Sequence, residues 1–410
     1  MTARLHRLPN GMAIIVDPMT GAQSAAVGIY AGVGSRSEAE DKGGLAHMVE
    51  HMVFKGAGIR SARQIAEAIE DVGGQLNAWT ARDQTAFHAR TLGPHAPLAL
   101  DLLADLVRAP AFDPDELERE KGVILSELGE ILDNPEDLVG DRLFEAAFPA
   151  QPLGRPVIGR AETIRAFTRA DLVRWTEQEW VATRLLLVAC GAVDEDAILR
   201  LAEQRFADMP ATPPPATAPS SFGGTQLLDR RQSEQAHWTF AMPAPAAASP
   251  DMPATSVFTQ AVGGGMSSRL FQEVREERGL AYSIYAWAQG FADAGIFAVG
   301  AATDRGDAAP ALALARQVVA DAADTLTDAE VARAKAQIEA SLRMTLESVQ
   351  GRADQHARSF EIFGRLVSLD EMVGELNAVD TAAARRAGSA LLTGPTALAS
   401  IGGGRLALAA

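Results

Sequence analysis

The sequence contains very little cysteine and no long apolar run. Its single cysteine, Cys190, excludes a disulfide within the chain. Cys190 lies in an apolar stretch that predicts a buried strand, and we interpret it as a small core residue. No stretch is long and apolar enough for a membrane span, and the first residues resemble neither a signal peptide nor a transit peptide. We therefore expect a soluble protein of a reducing compartment such as the cytoplasm, although a presequence that has been removed would not be visible here.

Basic residues are also scarce, with 37 Lys and Arg against 53 Asp and Glu and a formal net charge of −16. Because a nucleic-acid backbone would be repelled, this balance argues against DNA or RNA as a partner. The negative charge would attract a basic peptide, although it could equally serve solubility alone. The length of 410 residues predicts more than one domain.

A proline-rich segment, residues 211–222 (ATPPPATAPSSF), has no hydrophobic period and predicts a linker. It divides the chain into two halves of similar length. We expect a first domain over residues 1–210 that carries the catalytic chemistry, and a second, homologous domain over residues 223–410.

The two halves repeat each other in two places. Asp113–Leu128 aligns without gaps with Thr327–Leu342, and Gly44–His47 aligns with Gly279–Tyr282. Both similarities occur in the same order in each half, which indicates an internal duplication. The first similarity alone could reflect shared composition of alanine-rich helices.

Each half mixes strand and helix patterns. The apolar runs Met12–Val16 and Ala25–Ala31 predict a hairpin or neighbouring strands. Ser61 is placed to cap a helix, Gln75–Leu92 reads as extended chain with a turn, and Pro114 begins a long helix. We expect an α+β protein of two homologous domains, each with helices packed on a mainly antiparallel sheet.

The sharpest local pattern is His47-Met-Val-Glu50-His51. On a helix, residues four apart project from the same face, so both imidazoles can bind one metal ion. Glu50 lies on the same side and can reach a water on that ion. Two nitrogens and a carboxylate, with a position left for water, suit zinc. The pattern H-x-x-E-H is a zinc-protease signature, although so short a pattern also occurs by chance.

The long helix from Pro114 offers the third ligand. Glu120 and Glu127 fall within its apolar stripe, where a carboxylate is costly unless it is paired or bound to metal. We interpret Glu127 as the ligand and Glu120 as a group that orients a ligand histidine through a hydrogen bond. The alternative is that both glutamates lie in water at the helix edge.

The duplication provides a further comparison. In the second half, Tyr282, Tyr285 and Ala286 align with the three motif residues, and Ala334 and Ser341 align with the two glutamates. All metal-related side chains are replaced together, which is typical of residues that form one site.

The chain resembles the pitrilysin family of zinc proteases. The resemblance runs nearly end to end, and its half length is similar to the catalytic subunit of the mitochondrial processing peptidase and its bacterial relatives. The segments that carry it are Leu8–Gly11, Gly34–Arg36, Gly44–Gly56, Gly73–Ala78, Glu120–Glu127 and Arg275–Tyr282.

The resemblance implies properties that the spacing does not show. It implies the processing-peptidase fold, two chains forming a hollow clamshell, and one Zn²⁺ per chain. A peptide substrate would add a strand beside Asn77 and Ala78. Arg275 and Tyr282 would contact the substrate opposite the metal.

In the full-length branch of the family, the matching elements lie in the first and fourth domains of one polypeptide. The resemblance therefore implies that a second chain completes the site, in a homodimer or in a heterodimer with a paralogue. The expected activity is zinc-dependent endopeptidase cleavage of peptides or unfolded segments. Two alternatives are a non-catalytic assembly subunit and a subunit that only binds substrate for a catalytic partner.

Overall fold

The computed structural model describes residues 3–213, 216–404 and 406, so Pro214 and Pro215 of the predicted linker lie outside the described residues. The strands are β1 (Arg4–Arg7), β2 (Ala13–Pro18), β3 (Ser24–Ala31), β4 (Gly56–Ala57), β5 (Arg60–Ser61), β6 (Gln75–Thr80), β7 (Thr85–Leu92), β8 (Leu185–Gly191), β9 (Gln226–Asp229), β10 (Gln235–Ala244), β11 (Ser283–Gly290), β12 (Gly295–Asp304) and β13 (Ala397–Ile401).

The helices are α1 (Leu45–Val53), α2 (Ala62–Glu70), α3 (Ala96–Arg108), α4 (Pro114–Asp133), α5 (Pro135–Ala147), α6 (Ala161–Ala166), α7 (Arg169–Glu179), α8 (Glu195–Phe206), α9 (Met252–Gly263), α10 (Ala308–Thr325), α11 (Asp328–Thr345), α12 (Val349–Phe363), α13 (Leu369–Ala378) and α14 (Thr381–Leu391). Within the described part of the chain, no helix is long and apolar enough to cross a membrane.

The first sheet has the strand order β1-β2-β8-β3-β7-β6. The prediction that β2 and β3 are a hairpin or neighbours is wrong, because β8 lies between them, parallel to β2 and antiparallel to β3. Every residue of β8 is buried, including Cys190 as predicted. An apolar strand of this kind buries the most apolar surface at the centre of a sheet that is covered on both faces.

The second sheet, with the order β9-β13-β10-β12-β11, repeats five of the six strands of the first, and β1 has no counterpart among the described residues. Its parallel pair, β9 with β13, corresponds to β2 with β8. Its remaining pairs are antiparallel, as are the corresponding pairs of the first sheet. The same order and the same strand directions in two sheets confirm an α+β fold built by internal duplication.

Helices α4 and α11 begin at aligned positions, Pro114 and Asp328, so the first similarity between the halves is structural. The second is not. Gly279–Tyr282 immediately precedes β11, whereas His47 lies in α1, which follows β3. The helix that follows the corresponding strand β10 is α9, so the alignment of Tyr282, Tyr285 and Ala286 with the metal motif is wrong.

The chain forms two compact units that differ from a simple division at residues 211–222. The first comprises residues 1–128, 156–218 and 344–368, and the second comprises the remainder. Helix α5 packs on the second sheet through residues such as Leu143, and α12 packs on the first sheet through residues such as Ala353. Helix α5 follows α4 and helix α12 follows α11, so the two helices occupy equivalent positions in the duplicated halves. Each of them packs on the sheet formed by the other half.

A bidentate ion pair supports the second unit. Arg269 donates to both carboxylate oxygens of Glu330 at 2.6 and 2.9 Å, and the Thr327 amide donates to the same carboxylate at 2.8 Å. These bonds, led by that from Arg269, lower the pKa of Glu330 to about 2. A depressed carboxyl pKa stabilises the fold above the unfolded value of 4.5, and this stabilisation is lost as the pH falls towards 2.

We therefore expect Glu330→Gln to lower the free energy of unfolding at pH 7 by about 1–2 kcal/mol. The difference from the parent should shrink as the pH falls from 4.5 to 2, which denaturant titrations across that range would measure. Glu339→Gln is the control, because its i,i+4 pair with Arg343 is more exposed and should contribute less than about 0.5 kcal/mol. An equal loss at every pH would contradict the ion-pair explanation.

Candidate metal centre

Helix α1 separates an apolar face from a polar one. Its buried residues are Leu45, Ala46, Met48, Val49, Met52 and Val53. The intervening residues His47, Glu50 and His51 are only partly covered. Burial of the apolar face fixes the rotation of the helix, so the three polar side chains project together from the other side.

The N-terminus of α1 is held by Glu38, a buried carboxylate that sequence reasoning missed. It accepts hydrogen bonds from the amides of Gly44 at 2.9 Å and Ala46 at 2.8 Å. Gly44 has φ +92°, and a Cβ there would lie 2.4 Å from the carbonyl oxygen of Ile158. A carboxylate is favourable at a helix N-terminus, and only glycine fits the Gly44 position. No local spacing in the sequence identifies Glu38.

The structure brings together the three predicted ligands. His47 Nε2 lies 3.8 Å from Glu127 Oε1, and His51 Nε2 lies 3.7 Å from Glu127 Oε2. One donor atom from each of the three residues lies within 4.8 Å of the other two. The imidazole centroids are 4.6 Å apart. Two nitrogens and one carboxylate oxygen around a common volume fit a zinc ion.

The protonation state of His47 suits a metal ligand. Burial, helped by the neighbouring His51, lowers the pKa of His47 to about 4, so its imidazole is neutral at pH 7 and available to a metal. His47 Nδ1 and Glu50 Oε2 are buried without a hydrogen-bond partner within the described chain. The Glu127 side chain remains 41% exposed, which leaves the ligand volume open to solvent.

Glu50 lies on the same helix face but outside the three-donor group. Burial is the main cause that raises the pKa of its carboxyl group. A carboxylate in such surroundings is a better proton acceptor than one in water, which suits a general base beside a metal-bound water.

Glu120 is not in water at the helix edge. Its side chain is 5% exposed, and its Oε2 lies 3.1 Å from His51 Nδ1. Its other oxygen, Oε1, forms an ion pair with Lys55 Nζ at 2.7 Å. Lys55 was missed by the sequence reasoning, because it lies beyond the end of α1 at Val53, where helical spacing no longer applies.

Asn77 and Ala78 lie on β6, the last strand of the first sheet. Within the described residues β6 pairs only with β7, so its other edge is open. Helix α1 packs beside β6. An open strand edge next to the metal ligands is where an extended peptide could add by main-chain hydrogen bonds.

Arg275 and Tyr282 lie in the second unit, on surfaces that are half exposed. The Arg275 guanidinium stands 4.6 Å from the centroid of the Phe271 ring. Tyr282 donates a hydrogen bond from its hydroxyl to Asp304 at 3.1 Å, and this bond raises the pKa of the tyrosine. Both side chains are held by neighbours and remain accessible.

Sequence comparison identifies the family. Residues 14–161 match the family described as Insulinase (Peptidase family M16), and residues 166–338 match the Peptidase M16 inactive domain. A protein of Streptomyces coelicolor named as an uncharacterized zinc protease is 36% identical over 389 residues, which cover 92% of this chain and 84% of that protein. The chain belongs to peptidase family M16. The predicted pitrilysin resemblance is therefore confirmed.

Two further comparisons agree. The uncharacterized zinc protease YmxG of Bacillus subtilis is 32% identical over 394 residues, with 96% of each chain covered. The crystal structure of a protease from Helicobacter pylori superimposes with a TM-score of 0.90 at 20% identity, covering 97% of this chain and 99% of that one. The second comparison shows the shared fold.

The match of the second half to an inactive domain agrees with the structure. Helix α9, which corresponds to α1, contains no histidine and no carboxylate. Ala334 and Ser341 stand on α11 where α4 has Glu120 and Glu127. The second unit thus lacks metal ligands at the corresponding positions, although Tyr282 is not the residue that replaces His47.

A second cluster contains potential ligands, since donor atoms of Asp17, Cys190 and His356 lie within 4.8 Å of one another. However, His356 Nε2 is already bonded to Asp17 at 2.8 Å, and the Arg352 guanidinium lies 3.4 Å from the same carboxylate. Burial raises the pKa of the Cys190 thiol far above its usual range. This cluster is an ion-paired part of the core, and His356 is a core histidine whose hydrogen bond is satisfied by Asp17.

Proposed function

We propose that this chain is a zinc-dependent endopeptidase of the cytoplasm, with one zinc ion held by His47, His51 and Glu127. The observation that carries the proposal is the convergence of these three donors beside Glu50, whose buried carboxyl oxygen has no hydrogen-bond partner in the described chain. The names of the relatives support a zinc protease at the level of the family.

Glu50 acts as the general base. A zinc ion in this position would lower the pKa of a bound water and polarise the scissile carbonyl. Glu50 accepts the proton of the attacking water and then transfers it to the leaving amine. Glu120 keeps His51 oriented. The Tyr282 hydroxyl of the partner chain, proposed below to reach this site, exchanges its bond to Asp304 for one to the oxyanion of the tetrahedral intermediate.

The proposed substrate is a peptide or an unfolded segment in an extended conformation, enclosed in a chamber. The open edge of β6 supports this choice, because strand addition at Asn77 and Ala78 would bring the peptide backbone beside α1. The net charge of −16 favours basic peptides at low ionic strength.

The deciding experiment combines metal analysis with peptide cleavage. The purified chain should contain one zinc per chain by native mass spectrometry and should cleave an unstructured basic peptide, with cut sites identified by mass. Chelation should stop cleavage, and added zinc should restore it. Zinc binding without cleavage by the chain alone would favour a non-catalytic or substrate-binding subunit, and no zinc binding would contradict the metal site.

We further propose a homodimer in which Arg275 and Tyr282 of one chain serve the metal site of its partner. Neither Glu50→Gln nor the double variant Arg275→Ala/Tyr282→Ala should then cleave peptide alone. Mixed dimers should regain up to half of the parental activity per dimer, because one of their two sites is fully parental. Activity after subunit exchange, with exchange monitored by native mass, measures this.

Two parallel samples complete the test. Each variant incubated with itself controls for residual activity. If mixed dimers form and stay inactive, Arg275 and Tyr282 act within their own chain or take no part. A paralogous heterodimer would show instead as a purified chain that is monomeric and inactive.

A further inference from the structure

We propose that Lys55 is a positioning residue for the metal centre, which acts on zinc binding through Glu120 and His51. The inference rests on the proposed zinc function. Lys55 lies in the turn after α1, and its ammonium reaches the Glu120 carboxylate that also contacts His51. It touches none of the three donor groups directly, and its effect on the metal must pass through Glu120.

The geometry assigns each oxygen of Glu120 to a different partner. Lys55 Nζ forms an ion pair with Oε1 at 2.7 Å, and His51 Nδ1 lies 3.1 Å from Oε2. The Glu120 side chain is only 5% exposed, and burying a carboxylate is unfavourable unless an opposite charge lies beside it. The Lys55 ammonium is that opposite charge. With Oε1 held in this way, the carboxylate plane is fixed and Oε2 faces the imidazole.

This arrangement sets the tautomer of His51. A carboxylate accepts hydrogen bonds only, so the hydrogen lies on Nδ1 and the lone pair on Nε2. Nε2 is the nitrogen that faces Glu127 at 3.7 Å. An acceptor behind a ligand histidine also increases its basicity towards the metal. His47 has no such support, since its Nδ1 is buried without a partner within the described chain.

If the role of Lys55 were purely structural, it would only neutralise a buried carboxylate. The chain contains a second ion pair of this kind that serves as a control for that role. Lys42 Nζ lies 3.0 Å from Asp171, with side chains 26% and 8% exposed, against 32% and 5% for Lys55 and Glu120. Asp171 accepts a hydrogen bond from the Thr168 amide at the N-terminus of α7 and, within the described residues, bonds to no ligand histidine. Lys42→Met therefore removes the same kind of ion pair without the route to a ligand.

The experiment measures the zinc dissociation constant of folded protein by competition with a chelator, with folding checked by circular dichroism. Outer partners of metal ligands typically contribute 10–100-fold to affinity, and we expect Lys55→Met to weaken zinc binding by about tenfold. Lys42→Met should stay within about twofold of the parent. In a Glu120→Gln background, Lys55→Met should have little further effect, because the route through Glu120 is already broken. Lys55→Arg, which keeps a cation, should recover most of the affinity.

Parental affinity in folded Lys55→Met would overturn the inference, as would an equal loss in Lys42→Met or an undiminished loss in the Glu120→Gln background. If Lys55→Met does not fold, Lys55→Gln replaces it with the same expectations. The parent separates this inference from the proposed function: a parent that binds no zinc contradicts the zinc peptidase itself. A parent that binds zinc and cleaves peptide, beside an unaffected Lys55 variant, contradicts only the role of Lys55.

Discussion

We expect Glu50→Gln to reduce kcat for peptide cleavage by about 10²–10⁴-fold, the range typical for loss of a general acid–base group. The zinc content should remain that of the parent. Glutamine has nearly the same shape as glutamate, so α1 keeps its packing, and the three donor groups of the metal centre are untouched. A large loss of rate with metal retained is the signature of a base that is not a ligand.

The environment of Glu50 is the reason for the size of this effect. Its carboxyl group is buried, and that burial raises its pKa. Its Oε2 has no partner of good hydrogen-bond geometry in the described chain, and the neighbouring Thr80 hydroxyl opposes the effect of burial only in part, so Oε2 can accept a proton from an incoming water. An amide at the same place offers an oxygen with negligible basicity, and the attacking water would keep its proton.

Glu179→Gln is the control for neutralising a buried carboxyl group. Burial also raises the pKa of Glu179, which pairs with Arg184 in the same unit. This variant should lose stability but keep kcat when it is assayed well below its melting temperature. Both variants need a zinc measurement and a kcat from full saturation curves. Loss of zinc from Glu50→Gln would show that Glu50 is a ligand, and unchanged kcat would exclude it as the base.

The part of the site that could be predicted is the part that a single helix determines. His47, Glu50 and His51 are close in sequence, and the helical period alone places them on one face. Glu120 and Glu127 follow the same rule on α4. The contact between α1 and α4 is a tertiary interaction. The sequence predicts it only through the cost of burying carboxylates without partners. No sequence pattern identifies Glu38 or Lys55, because a single acidic or basic residue is common at many surface positions without any role in a site.

The fold was predictable to the level of its two α+β units but not to the level of strand order. Periodicity identifies strands such as β2 and β3, yet β8, far along the chain, pairs between them. The sheet on which α5 or α12 packs could not be predicted either. Nothing in their sequences indicates which sheet they cover, because an apolar helix face fits either one.

The duplication shows how a right conclusion can rest on a wrong alignment. Gly279–Tyr282 matches Gly44–His47 in letters, but one segment leads into a strand and the other begins a helix. Short glycine-led similarities arise wherever a turn is needed, so they do not specify the element that follows. Strand order, which depends on the whole unit, identifies α9 as the counterpart of α1.

The second large effect concerns the metal itself. We expect Glu127→Gln to weaken zinc binding by more than about 100-fold, beyond the range for residues that only support a ligand. Glu127 is the carboxylate that, among the described residues, pairs with both ligand imidazoles, at 3.8 Å from His47 and 3.7 Å from His51. A neutral amide loses the charge attraction to a dication, and amides are seldom ligands in zinc sites, which use thiolate, imidazole and carboxylate donors. Peptide cleavage should fall with zinc occupancy and recover in part at high zinc concentration.

Glu118→Gln on the same helix is the matched control, since its carboxylate is exposed and pairs with Lys121 away from the histidines. It should bind zinc as the parent does. Glu127→Asp completes the series, because it keeps the charge on a shorter arm and should bind zinc more tightly than Glu127→Gln but less tightly than the parent. The assignment of Glu127 fails if Glu127→Gln retains full occupancy while Glu120→Ala loses the metal. In that outcome Glu120, released from Lys55, would be the ligand, and the two glutamates of α4 would have the reverse of the roles proposed for them.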